Sequence, residues 1–116
     1  MANKRNLKKL IRRVCGEIAA EAIIAYQTIP SMSSETVGQI LGDVAELQCE
    51  TLSRISFSFD KSRADFENGA AYRAARRRYN AAAFARLRTD FTEGVNKVLK
   101  ELNAAIPAEV REANKQ

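Results

Sequence analysis

Two pairs of glutamates stand at a spacing that could serve carboxylate chemistry. Glu17 and Glu21 are four residues apart, and Glu46 and Glu50 repeat that spacing further along the chain. On a helix such a pair lies on one face, where the carboxylates could work together or form half of a di-iron cage. A di-iron cage needs a Glu-x-x-His motif on two helices, and the sequence contains no histidine. We therefore interpret these glutamates as solvated side chains.

The sequence also lacks the motifs of other catalytic and cofactor sites. It has no GxSxG turn, no phosphate-binding P-loop and no dinucleotide fingerprint. The two cysteines, Cys15 and Cys49, have no CxxC spacing, so a structural zinc site is not expected. We predict a protein that is not an enzyme and needs no cofactor or metal. In a cytoplasmic, reducing setting, two buried free thiols are favoured over a disulfide.

Positive charge is the remaining candidate for chemistry, and it is arranged in blocks. The chain has 19 basic and 14 acidic side chains, a net charge of +5. Residues 1–16 contain six basic side chains and no acid, residues 17–50 contain six acids and no base, and residues 70–88 contain six arginines and no acid. The candidate polyanion-binding residues are Lys4, Arg5, Lys8, Lys9, Arg12, Arg13, Arg73, Arg76, Arg77 and Arg78.

Three interpretations of these basic blocks stay open. The first is a solvated face, or one balanced within the molecule, whose repulsion is screened within about 10 Å at ordinary salt. The second is an acidic protein partner, and the third is nucleic acid, which would release counterions on binding. No helix-turn-helix, RNP-like strand or zinc finger is recognisable, so the nucleic-acid signal is weak. We favour the first interpretation.

The apolar spacing predicts the helices that must position these residues. From Leu7, apolar side chains recur at steps of three and four until Pro30 ends the pattern. Ser33 or Ser34 can cap a second helix, whose apolar face runs from Val37 to Ile55. The two helices should form an antiparallel hairpin. The second helix also carries a stripe of small side chains that marks a tight helix contact, either within the chain or across a dimer. Its residues are Gly38, Gly42, Ala45 and Cys49.

A third helix is predicted from the apolar positions between Phe84 and Leu102, ending before Pro107. Residues 56–69 are typical of a loop, and we expect its phenylalanines to pack back onto the bundle; they are Phe57, Phe59 and Phe66. A short fourth helix in residues 62–80 stays open, because Ser62 and Asp65 could cap it. The tyrosines of residues 70–80 are out of phase with the third helix. Either the helix kinks or breaks between Gly69 and Asn80, or the segment before Ala81 extends past the hairpin. We favour the second alternative, in which its tyrosines could contact a second subunit.

These patterns predict an all-α protein: an antiparallel bundle of three long helices, forming a single domain over residues 1–116. If the helices alternate in direction, the start of the first, the end of the second and the start of the third meet at one end, bringing the basic blocks together. No membrane span is expected, because the apolar run of residues 18–26 is interrupted by Glu21 and is shorter than the ~20 residues required.

The opening "MANKRNLKKLIRRVCGEI" is similar to that of a family of small bacterial helical proteins that begin Met-Ala-Asn-Lys-Arg-Asn-Leu-Lys-Lys. The similarity includes an apolar residue near Ile11 and a cysteine, a small residue and an acid near Cys15, Gly16 and Glu17, and it covers about the first twenty residues. It implies a helical bacterial protein and carries no activity, cofactor or site. The alanine- and arginine-rich segment departs from the family pattern.

The combined prediction is a non-enzymatic helical interaction protein that forms a homo-oligomer, in the simplest case a homodimer. The alternative is a helical protein that binds nucleic acid through a basic end of the bundle. Binding to nucleic acid that weakens steeply with salt would distinguish the second from the first.

Overall fold

The computed structural model describes residues 4–56 and 58–106, which form three helices and one short turn. Helix α1 spans Lys4–Thr28, α2 spans Ser34–Arg54 and α3 spans Gly69–Ala105, with a single 3-10 turn at Arg63–Asp65 between the last two. The described residues contain no β-strand. The predicted all-α class is therefore confirmed.

The connection between α1 and α2 follows from local chemistry. Pro30 does not continue α1. Ser33 has an extended backbone, and its side-chain oxygen accepts a hydrogen bond from the Thr36 backbone N–H at 3.4 Å. Glu35 lies in the first turn of α2, where a negative charge is favourable near the helix N-terminus. The predicted cap and the boundary at Pro30 are confirmed.

The core is made by the apolar faces of all three helices, with α2 placed between the others. Helix α2 packs along both α1 and α3, while α1 and α3 contact each other much less. The contacts between α2 and α3 run in opposite sequence order: Arg54 pairs with Asp90, Leu47 packs over Gly94, and Asp43 hydrogen-bonds Glu101. The buried apolar residues are Leu7, Ile11, Cys15, Ile18, Ala22, Ala25, Met32, Val37, Ile40, Val44, Ile55, Phe84, Leu87, Val98 and Leu102.

Helix α3 is one unbroken helix that outruns its neighbours. Its 37 residues span about 55 Å at 1.5 Å per residue, and the described chain is 65 Å long. No residue of α3 before Phe84 is buried, so its first part lies outside the core. We call residues 69–80 the arm. The fourth helix considered for residues 62–80 does not form, because residues from Gly69 onward belong to α3 and only a 3-10 turn precedes them.

Two of the loop phenylalanines, Phe59 and Phe66, pack on the arm, whereas sequence analysis expected them to pack on the bundle. The Phe59 ring lies 5.9 Å from the Tyr72 ring and 5.4 Å from the Tyr79 ring, measured between centroids. Phe66 lies 6.0 Å from Phe59 and 5.8 Å from Tyr72. The arm tyrosines lie off the core face of α3, and the rings of Phe59 and Phe66 pack against them. Phe57 lies outside the described residues.

No helix within residues 4–56 and 58–106 combines the length and the apolar character that a membrane span requires.

Candidate functional site

The basic residues of α1 lie on its first three turns and are exposed to solvent. The start of this helix is close to the middle of α3: Leu7 and Leu10 line one apolar groove together with Leu87 and Arg88. The groove has a volume of about 340 Å³, with buried Thr51 of α2 among its lining residues. The basic block of α1 therefore neighbours the second half of α3 and not its start.

The predicted meeting of three helix ends is wrong for α3. Arg54, the last residue of α2, forms an ion pair with Asp90 at 2.9 Å. Asp90 lies about 32 Å along the helix from Gly69, where α3 begins. The arm therefore carries its arginines past the hairpin, because the register of α3 is set by the buried residues from Phe84 onward. The exposed arm arginines are Arg73, Arg76, Arg77 and Arg78.

Two arginine side chains approach the start of α3. Asn68 caps the helix by accepting a hydrogen bond from the Ala71 N–H at 2.8 Å. A Cβ placed on Gly69 would lie 3.0 Å from Nη2 of Arg63 and 3.1 Å from Nη1 of Arg73, so both guanidinium groups approach the same backbone. Cations oppose the dipole at a helix N-terminus by a few tenths of a kcal/mol each. Two guanidinium groups therefore lie close to the N-terminus of α3, where the helix dipole disfavours positive charge.

A cleft opens at the point where α2 ends beside the continuing α3; we call it the junction cleft. Its volume is about 730 Å³. The lining residues are Arg54, Tyr79, Ala82, Ala83, Arg86, Leu87 and Asp90. Two arginines, one aspartate and a tyrosine thus converge where sequence analysis placed no site. The available signal was the spacing of Tyr79, Arg86 and Asp90, which follow one another at steps of seven and four residues and therefore lie along one side of α3.

The small-residue stripe of α2 is exposed. A Cβ added to Gly38 or Gly42 would meet nothing within 4 Å, and Ala45 and Cys49 are exposed as well. The stripe therefore forms no tight contact with another helix among the described residues of this chain. By contrast, Gly94 of α3 does permit a close approach: a Cβ there would lie 2.5 Å from Cδ1 of Leu47. Within residues 4–56 and 58–106 the stripe has no intramolecular partner, and its contact across a dimer stays a prediction.

The two thiols occupy different environments. Cys15 and Cys49 are both free. Cys15 is 1% exposed, and burial raises the pKa of its thiol because the charged thiolate is poorly solvated there. Cys49 is exposed on the stripe, which corrects the expectation of two buried thiols. Thiol reactivity should therefore be concentrated at Cys49.

Two acidic side chains, Asp43 and Glu101, interact with each other, while the four glutamates that sequence analysis interpreted as solvated lie on the surface. Glu17, Glu21, Glu46 and Glu50 are all exposed. The Glu101 carboxyl shares a hydrogen bond with Asp43, and this hydrogen bond raises the pKa of Glu101, with smaller contributions from burial and from the Asp43 charge; Lys97 acts in the opposite direction. Among the described residues, no group of three acidic or thiol side chains is placed to hold a metal ion.

The Asp43–Glu101 pair predicts a small pH dependence of stability. A carboxyl whose pKa is raised in the folded state binds its proton more tightly there, so its stabilising contribution is present at low pH and is lost as the pH rises above its ordinary value of 4.5. We expect Glu101→Gln to remove this loss. The free energy of unfolding, measured in urea at acidic and neutral pH, should therefore decline less with pH in the variant. Parallel curves for the two proteins would contradict the shared proton.

Comparisons of the chain with family models, with curated proteins and with solved structures found no match. In the part of the chain that the structure describes, the fold is all-helical with three helices, an acid-free basic arm and an exposed stripe of small residues.

Proposed function

We propose that the protein is a non-enzymatic, cytoplasmic interaction protein that self-associates as a homodimer, built on an antiparallel bundle of three helices. The reversed order of the contacts between α2 and α3 supports this arrangement, as does the short connection between α1 and α2. The surface proposed for association is the side of the hairpin that carries the α2 stripe.

The observation that supports self-association most directly is the open space beside Gly38 and Gly42. Glycine in a helix interior costs roughly 0.5–1 kcal/mol relative to alanine, and α2 holds two glycines at positions where no described residue would lie within 4 Å of an added Cβ. Helical positions place Ile23 and Tyr26 of α1 on the same side of the hairpin, and their side chains are 43% and 45% exposed. A second copy could bring its backbone close to the glycines and cover these apolar side chains.

Substitution of Gly42 tests the association surface. Gly42→Arg adds a large charged side chain to the stripe but meets open space in the single chain, so the fold should be retained and dimer formation should fail. The matched control is Gln39→Arg, which adds the same charge on the α3 side of α2. Light scattering at high protein concentration should give a dimer mass for the unmodified chain and the control, and a monomer mass for Gly42→Arg.

Cys49 provides an independent readout in the unmodified protein, because it belongs to the stripe. Its rate of reaction with a thiol reagent should fall as protein concentration rises, whereas Cys15 should react slowly at every concentration. A monomer mass throughout, together with a Cys49 rate that is independent of concentration, would contradict self-association through this face.

Nucleic-acid binding is the second candidate function, and the arm is the observation that favours it. Residues 70–88 contain six exposed arginines and no acid, and the arm contributes no buried residue to the core. A helix segment that is not needed for the core but is this basic is suited to contacts with phosphates. The phosphate contacts would be Lys4, Arg5, Lys8, Lys9, Arg12, Arg13, Arg73, Arg76, Arg77 and Arg78.

A salt titration tests this second candidate. We expect labelled nucleic acid to bind at low salt, with log K falling linearly against log salt at a slope of about −0.7 to −0.9 per phosphate neutralised. The Arg76, Arg77 and Arg78 to Gln triple variant should reduce the magnitude of that slope by about 2 to 3. Failure to retain nucleic acid at low salt would reject the candidate and leave the two other interpretations of the basic blocks, a solvated face and an acidic protein partner.

A further inference from the structure

We propose that the junction cleft binds single-stranded nucleic acid, with a base stacked on Tyr79 and the flanking phosphates on Arg86 and Arg76. This inference rests on the second candidate function and gives it a particular ligand and a particular site. The volume of about 730 Å³ is sufficient for a nucleotide unit.

Tyr79 is an aromatic side chain held in position by its own neighbours. The Phe59 ring lies 5.4 Å from it at an angle of 45°, and Phe59 is in turn stacked on Phe66 at 6.0 Å. Tyr79 nevertheless keeps 36% of its surface exposed and lines the cleft. A ring fixed in this way loses little freedom when a base stacks on it, which favours binding.

The charge around Tyr79 is positive. Arg54 and Asp90 neutralise each other through their 2.9 Å ion pair, so the aspartate opposes an incoming phosphate only weakly. Arg86 lines the same cleft and makes no ion pair with any described residue. Arg76 is exposed and precedes Tyr79 by three residues, which places it on the same side of α3.

Arg76 and Arg86 are separated by about 15 Å along the helix, with Tyr79 between them. This order, a cation followed by an aromatic ring and a second cation, matches a strand whose base is turned toward the protein and whose phosphates continue on both sides. The bases of a duplex stay stacked inside it, so a duplex could contact the arginines through its phosphates but could not place a base on Tyr79. An acidic peptide could also contact the arginines but has no base to place on Tyr79.

Fluorescence anisotropy with a labelled oligothymidine of about 12 nucleotides, and with a duplex of equal length, tests the proposal at about 50 mM salt. Tyr79→Leu should weaken single-strand binding about tenfold and leave duplex binding unchanged, whereas Tyr79→Phe should retain the single-strand affinity. Arg86→Gln should weaken single-strand binding several-fold and reduce the magnitude of the salt slope by about 0.7.

Arg88→Gln is the matched control, because Arg88 belongs to the same helix but lines the groove on the α1 side. It should change single-strand affinity less than twofold, and circular dichroism should show the same helix content for every variant. Equal losses of single-strand affinity for Arg86→Gln and Arg88→Gln, or no effect of Tyr79→Leu, would overturn the junction cleft as the binding site but would leave the second candidate function standing. An absence of binding to either oligonucleotide would overturn both. If polyglutamate of matched charge displaced the labelled single strand as effectively as unlabelled oligothymidine, the proposed nucleic-acid site would be overturned in favour of an acidic protein partner.

Discussion

Ile11→Ala is expected to lower the free energy of unfolding by about 2–5 kcal/mol. The Ile11 side chain is fully buried on α1, at the level where Leu87 and Phe91 of α3 also approach. Its removal loses the transfer free energy of the deleted carbons and leaves a cavity that three helices cannot easily close. Urea unfolding followed by circular dichroism measures the loss, with an unchanged m value indicating that two-state unfolding is retained.

Ile24→Ala is the control for this prediction. Ile24 lies on the same helix, and its substitution removes the same atoms, but its side chain is 57% exposed. We expect an effect within about 0.5 kcal/mol, because substitutions on exposed surface away from the core seldom change stability more. Similar losses for the two variants would mean that the apolar face of α1 has been assigned to the wrong side of the helix.

Ala81→Pro is expected to destabilise α3 locally by about 3 kcal/mol or more. Proline removes a hydrogen bond to the carbonyl of residue 77 and clashes with it, and Ala81 is exposed, so no core contact is lost at the same time. The arm has no buried residue, whereas α3 from Phe84 onward is held by the hairpin. The variant should therefore lose helix in residues 69–80 and keep the rest of the fold.

Hydrogen exchange of the backbone amides distinguishes these two parts of α3. Amides of the arm should lose protection in Ala81→Pro, while amides after Phe84 should keep it. Ala81→Gly, which keeps the hydrogen bond, should cost only about 1 kcal/mol and serve as the control. Unchanged protection of the arm in the proline variant would show that the helix is already interrupted near this residue in the unmodified protein.

The candidate sites illustrate which features are local in the sequence. The basic arm and the stripe are visible as composition and spacing, so sequence analysis identified both. The junction cleft was missed, because it depends on where α2 ends against α3 and on the contact between Phe59 and Tyr79. Those residues are separated along the chain, and their proximity follows from the register of two helices. The capping role of Asn68 was also missed, although an Asn before a helical segment is an ordinary N-terminal signal.

The amino-acid sequence by itself determined the helices and their apolar faces, since a period of three to four residues, Pro30 and the cap at Ser33 act within a few residues of each other. Tertiary structure alone decided that α3 continues unbroken through the arm, that its register places Asp90 and not Gly69 beside the end of α2, and that no described residue packs over the two glycines of the stripe. The physical reason is that helix register depends on the summed packing of side chains distant in sequence, such as Leu47 over Gly94, and no local pattern contains that sum.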